Sequence, residues 1–130
     1  MICGSTTADI VARELNQKVE LIDGSMGFAS PPEYRMSGID MVSEGALLLN
    51  QAVNLLDEPQ EQWGDQTSVE RFCHLLMEAD VITFMVGNAI NDAHLSPLFK
   101  QVGVKPRRTA IGLMKEKLES MGKLVIEEGY

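Results

Sequence analysis

Apolar and polar positions along this chain follow several rhythms, and each rhythm predicts an element. Met1-Ile2-Cys3 reads as the end of a strand, and Gly4-Ser5-Thr6-Thr7 as the turn after it. From Ala8 to Leu15, apolar Ile10, Val11 and Leu15 suit a helix, with Thr6 and Asp9 in capping-box order at its start. Lys18 to Ile22 alternates at period two and ends in Asp23-Gly24, the pattern of a short strand with a turn. Residues 23–36 hold Gly24, Gly27, Pro31 and Pro32 with little periodicity and predict a loop. Ser37 and Asp40 repeat the capping spacing ahead of a broad apolar face (Ile39, Val42, Leu47, Leu49, Val53, Leu56), which predicts a helix over 39–56.

A second loop, Asp57 to Gln66, contains Pro59 and Gly64. Thr67 and Glu70 then launch a helix to Ala79 whose buried side is Val69, Phe72, Cys73, Leu76 and Met77. Val81 to Val86 is the most continuous apolar run; its β-branching and the following Gly87 predict a central strand buried on both faces. An irregular polar stretch runs from Gly87 to Pro97. Pro106, at a first helical position, opens a helix to about Met121, stopped by Gly122, and Leu124-Val125-Ile126 closes the chain as a strand. Strands between helices predict a single α/β domain, with a mostly parallel or mixed sheet of about four strands flanked by helices.

Composition narrows the classes. A chain of 130 residues with 45% hydrophobic and 23% charged residues belongs with globular domains and needs no metal or disulfide staple. Two cysteines, Cys3 and Cys73, without zinc-ligand spacing suit a reducing compartment. No apolar run approaches the ~18 residues of a membrane span, and the first residues lack a signal peptide's basic start and long apolar stretch, so the expectation is cytoplasmic, without membrane partners. The net charge of −8 argues against nucleic acid. Residues 1–65 carry eleven acids and three bases, whereas 66–130 carry eight of each. Within the second half, Lys100 to Lys123 concentrates seven bases against two acids, either a solvated helix face or a site for a small anion.

Four places could carry chemistry. Gly4-Ser5-Thr6-Thr7 would present backbone N–H groups and hydroxyls at a helix start, where an anion is held without side-chain charge; the plain alternative is an N-cap by Thr6. Asp40 and Glu44, one turn apart on the expected helix, could face a metal or accept hydrogen bonds from a ligand; dipole preference alone explains an acid there. Asn88 and Asn91, with Asp92 and His94, follow the apolar strand, where α/β folds place binding loops and where asparagine is also a routine turn former. Arg107 and Arg108 would stand in the first turn of a helix, mildly unfavourable unless an anion or acidic partner compensates. Trp63, His74 and the eight methionines read as structure, and no Ser/His/Asp order, HExxH or P-loop occurs.

Taken together, Ile2 to Leu15 (ICGSTTADIVAREL), Pro31 to Gly45 (PPEYRMSGIDMVSEG), Asp80 to Pro97 (DVITFMVGNAINDAHLSP) and the Arg107-Arg108 helix resemble one family. They are similar to the region after the catalytic domain of bacterial SpoIIE-like serine phosphatases, the PPM-type metal-dependent class. There the first segment usually reads Cys-Gly-Gly-Thr-Thr and the second Gly-Ile-Asp-Leu-Val-Thr-Glu-Gly; here Ser5 replaces a glycine. The family's paired metal-binding aspartates lie upstream of the region seen here, and Asp23-Gly24 and Gly64-Asp65 lack the surrounding pattern. The resemblance therefore implies a C-terminal accessory domain cut from a longer phosphatase. It would be non-catalytic and cofactor-free, binding a small anion through Gly4, Ser5, Thr6, Thr7, Asp40, Asn88, Asn91, Arg107 and Arg108, or contacting the upstream phosphatase domain. The alternatives are a hydrolase or transferase acting on a phosphorylated small molecule through Asp40, Glu44 and His94, and a docking or homodimerisation surface.

Overall fold

The computed structural model describes residues 1–22, 30–88 and 103–130. In chain order these form β1 (Ile2–Cys3), α1 (Ser5–Leu15), β2 (Glu20–Leu21), β3 (Glu33–Met36), β4 (Ile39–Ser43), α2 (Ala46–Leu55), a 3-10 turn (Gln60–Gln62), α3 (Ser68–Glu78), β5 (Val81–Val86), α4 (Arg107–Ser120) and β6 (Leu124–Gly129). The class is α/β. A mixed four-stranded sheet runs β1-β4-β3-β2, with β1 and β4 parallel and the other pairs antiparallel, and β5 and β6 form a separate parallel pair.

The main departure from the expected elements is at residues 33–43. The helix expected over 39–56 begins only at Ala46; Ile39–Ser43 is strand β4, hairpinned to β3 through Ser37-Gly38 with Gly38 at φ 84°. The spacing of Ile39 and Val42 suits either period, and pairing decides: β4 hydrogen-bonds β1 on one side and β3 on the other, burying Met41, Val42 and Ser43. The part of the expected loop beyond Pro32 is strand β3 for the same reason. Ser43 is the buried polar residue of this strand, and its hydroxyl donates to the Pro32 carbonyl at 2.7 Å.

Caps explain the helix ends. The Thr6–Asp9 box does not form, because Gly4 is the N-cap of α1 and Thr6 already lies inside the first turn. Asn16 ends α1 in the left-handed conformation (φ 53°), its N–H reaching back to the carbonyls of Ala12 and Arg13. The Thr67–Glu70 box does form, with both reciprocal hydrogen bonds. Pro106 is the N-cap of α4 rather than its first helical residue. At the far end of α3, the Lys123 ammonium donates to the carbonyls of Met77 and Ala79, a cation placed where the helix dipole favours it.

Two clusters make the core. The larger packs Leu48, Leu49, Ala52, Phe72, Cys73, Ala110, Met114 and Leu118 from three helices against Ile82, Val86 and Val125 of the β5–β6 pair. The smaller joins Ala8 and Ala12 of α1 to Ile2, Met36 and Val42 of the four-stranded sheet. Among the described residues, only one face of β5–β6 meets the core. Val81, Thr83 and Met85 face outward and are exposed, so the expectation of a strand buried on both faces is not met. The helices packed on this pair (α2, α3 and α4) share a single cluster, which covers the inner face alone.

Glu70 also holds the second loop. Its carboxylate accepts from the N–H groups of Gly64 and Thr67, and a Cβ on Gly64 would meet Glu70 Oε2 at 2.5 Å. Burial pushes the Glu70 carboxyl upward, but hydrogen bonds from Thr67, Gly64 and Gln66 outweigh it and hold the group below its ordinary value. A carboxylate lowered on folding stabilises fully above its unfolded pKa and loses that contribution as pH falls through the folded one. Glu70→Gln is expected to cost about 1 kcal/mol at pH 7 and nothing in acid below both pKa values, read from urea midpoints across pH.

Candidate functional site

The β1–α1 turn is the first place to build from. Gly4 sits at φ 131°, ψ 130°, outside the regions open to other residues, and its N–H donates to the Ser43 carbonyl at 2.7 Å, continuing the β1–β4 pairing. Its carbonyl accepts from Ala8 at the first turn of α1. One amide of the turn is thus spent within the sheet. Ser5, Thr6 and Thr7 are exposed, and no side chain caps their N–H groups. Behind the turn lies Gly45, whose Cβ, if present, would stand 3.1 Å from the Cys3 carbonyl oxygen and 3.5 Å from Gly4 Cα. The Glu44 carboxylate accepts from the N–H groups of Ala46 and Leu47, both at 2.8 Å. Glu44 therefore caps α2, and Gly45 lets that cap press against the turn.

Asp40 and Glu44 are not one turn apart on a helix, as the sequence reading had it. Asp40 is on strand β4, exposed, and Glu44 follows the strand and is committed to α2. Asp40 instead borders a cleft of about 310 Å³ with Glu33, Met41, Asp65, Arg71, His74 and Glu78. Arg71 spans this cleft, its Nε donating to Glu33 Oε2 at 2.9 Å and its Nη1 to the Asp65 carbonyl at 3.1 Å. His74 meets the Gly64 carbonyl at 2.9 Å and stands edge-on to Trp63. Among the described residues, no group of three or more His, Cys, Asp or Glu is placed to hold a metal ion.

The C-terminal end of β5 gathers Asn88, Arg107 and Arg108. Arg107 Nη2 donates to the Gly87 carbonyl at 2.8 Å, and Arg108 Nη2 to Asn88 Oδ1 at 2.6 Å. The Asn88 N–H donates to the Tyr130 carbonyl at 2.6 Å, extending the β5–β6 ladder by one step. These three candidates come together, and Gly4 to Thr7 form a second group at the end of β1. Asn91 lies outside the described residues, as do Asp92 and His94.

A contact that sequence reasoning missed fixes the start of α4. Asn50, on α2, accepts from the Lys105 N–H (2.8 Å) and donates to the Lys105 carbonyl (3.0 Å), a two-point clamp on main chain. Asn50 Nδ2 also donates to the Ala46 carbonyl one turn back at 2.8 Å, and the sequence signal was an asparagine inside a helix pattern. Both cysteines are structural: burial pushes the Cys3 and Cys73 thiols up to about 12, so neither is a nucleophile at neutral pH. No described helix is long and apolar enough to cross a membrane. Compared with protein-family models, curated proteins and solved structures, the chain matches none of them.

Proposed function

We propose that this domain is the non-catalytic regulatory module of a SpoIIE-like serine/threonine phosphatase and that it responds to a small anionic ligand. The observation that carries this reading is the pair of guanidinium groups at the C-terminal end of β5, in the first turn of α4. Cations at a helix N-terminus are disfavoured by its dipole, and the neutral oxygens of Gly87 and Asn88 beside these two offset it without supplying a charge. An anion would complete the offset, and strand ends of α/β sheets are where such folds accept ligands. The exposed Ser5-Thr6-Thr7 turn at the end of β1 supports the same reading. The ordered segment resemblance supplies the phosphatase context.

Calorimetry with inorganic phosphate, nucleotides and small organic acids tests it, together with dephosphorylation by the enzyme that carries the domain. One of these anions is expected to bind with a Kd below about 1 mM and to change the phosphatase rate. Arg107→Ala/Arg108→Ala is expected to abolish both effects. Absence of binding, or a double variant that responds like the unchanged protein, ends the ligand reading.

A second reading, docking onto the phosphatase domain, is favoured by the outer face of β5–β6. Val81, Met85 and Leu124 are 55%, 70% and 59% exposed there, beside Ile126, although parallel strands are nearly always covered on both faces. Met85→Glu is expected to leave the stability of the isolated domain within about 0.5 kcal/mol while weakening its association with the catalytic domain, measured by titration calorimetry. Unchanged association removes this face from the docking surface.

A further inference from the structure

We infer that β5 is the seam of a symmetric dimer, its outer edge pairing antiparallel with β5 of a second copy and Thr83 lying on the two-fold axis. This goes beyond the ligand and phosphatase readings and needs neither. It starts from the direction in which the main chain of β5 points. The Asp80 carbonyl accepts from the Leu124 N–H, the Val86 carbonyl from the Tyr130 N–H, and the Asn88 N–H donates to the Tyr130 carbonyl. Even-numbered residues of β5 therefore turn their N–H and C=O groups toward β6, and in a parallel ladder the alternate residues turn theirs the other way. Val81, Thr83 and Met85 thus present main-chain donors and acceptors along the edge away from β6. All three are exposed, and among the described residues no strand pairs with β5 on that side.

Natural sheet edges are blunted by charge, proline or a bulge. Val81-Ile82-Thr83-Phe84-Met85-Val86 carries neither charge nor proline, and its register with β6 is unbroken. The outward edge of β6, by contrast, holds Glu127. A two-stranded sheet is marginal alone, and pairing two β5 edges gives a four-stranded one, β6-β5-β5-β6. Charge selects a second copy as the occupant. Centred on Thr83, the antiparallel register sets Thr83 against Thr83, Val81 against Met85, and Asp80 against Val86, next to Gly87 of the other copy. Gly87 is an alternate residue like Thr83, so its carbonyl points to the same open edge, and Arg107 donates to it at 2.8 Å. The Arg107 guanidinium therefore stands at this edge rather than at the β6 edge of Glu127. Exposed Asp80 of the second copy brings it a full negative charge, near the α4 dipole that disfavours cations. Two-fold symmetry makes the contact twice. Centring the pairing on Val81 or Met85 instead separates the two charges.

The test is sedimentation equilibrium of the whole chain across concentration, repeated with Thr83→Lys, Asp80→Lys and Glu127→Lys, while circular dichroism melts at low concentration follow the fold of each variant. One strand pair buries less than the ~1,200–2,000 Å² of a stable interface, so a dimer with Kd of about 10–100 μM is expected. Thr83→Lys sets two ammonium groups face to face across the axis, on a side chain that is exposed in the monomer, and is expected to leave only monomer with melting unchanged. Asp80→Lys places a cation beside Arg107 of the other copy and should weaken the dimer at least about tenfold, less so in high salt. Glu127→Lys alters the opposite edge and should leave the dimer as it was. A chain that stays monomeric up to about 500 μM overturns the inference. So does a dimer that persists in Thr83→Lys, or one that Glu127→Lys abolishes, since the seam then lies elsewhere; a dimer insensitive to Asp80→Lys overturns the register and with it the choice of occupant.

Discussion

Gly45→Val is expected to lower the stability of this domain by about 3 kcal/mol, measured by urea unfolding. Gly45 is buried with ordinary helical dihedrals (φ −87°, ψ −58°), so conformational freedom is not the issue. Space is. A Cβ there would approach the Cys3 carbonyl oxygen to 3.1 Å and Gly4 Cα to 3.5 Å, both main-chain atoms. They are held in turn by the Gly4–Ser43 hydrogen bond and by the β1–β4 pairing, so they cannot yield as a side-chain tip would. Alanine requires a shift of a few tenths of an ångström and should cost about 1 kcal/mol; the γ-methyls of valine force α2 off the turn. Equal costs for alanine and valine would show that the junction of β1, α1 and α2 is looser than its geometry indicates.

Arg71→Ala is expected to cost about 2 kcal/mol. The Glu33 side chain is only 11% exposed on β3, and Arg71 is its charged partner from α3. Deleting that partner removes the counter-charge of a largely buried carboxylate, a loss of roughly 3–5 kcal/mol for a fully buried pair. Because the Arg71 side chain is 38% exposed, water reaches part of the gap and the smaller figure applies. Glu33→Gln/Arg71→Met should recover most of the loss, since an amide and a thioether need no counter-ion. A double variant as unstable as Arg71→Ala would assign the effect to packing of the arginine stem rather than to charge.

These two sites show what kind of information a linear pattern holds. The capping box at Thr67 and Glu70 was legible because it is local, with four residues closing on themselves. The amphipathic face of α3 and the position of α4 were legible because their periodicity is unmixed. Ile39–Ser43 was not, because an apolar pair three apart fits both a helix and a strand between two neighbours, and only the neighbours choose. The outward face of β5 was misread for a related reason. Its continuous apolar run resembles a fully covered strand, yet Val81 and Met85 are exposed. Of the candidate residues, the strand-to-helix junction at Gly4 could be read from the glycine and hydroxyl pattern; the juxtaposition of Asn88 with Arg108, twenty positions apart, could not.

By itself the chain determined its α/β class, the described helices α1, α3 and α4 and the closing strand, because each follows from short-range rules of capping and periodicity. Only tertiary structure decided that Asp40 belongs to a strand and an acidic cleft, that Glu44 is a cap, and that both arginines close over the end of β5. Those outcomes depend on which distant main-chain groups compete for the same hydrogen bonds, and that competition is settled by packing in three dimensions rather than by order along the chain.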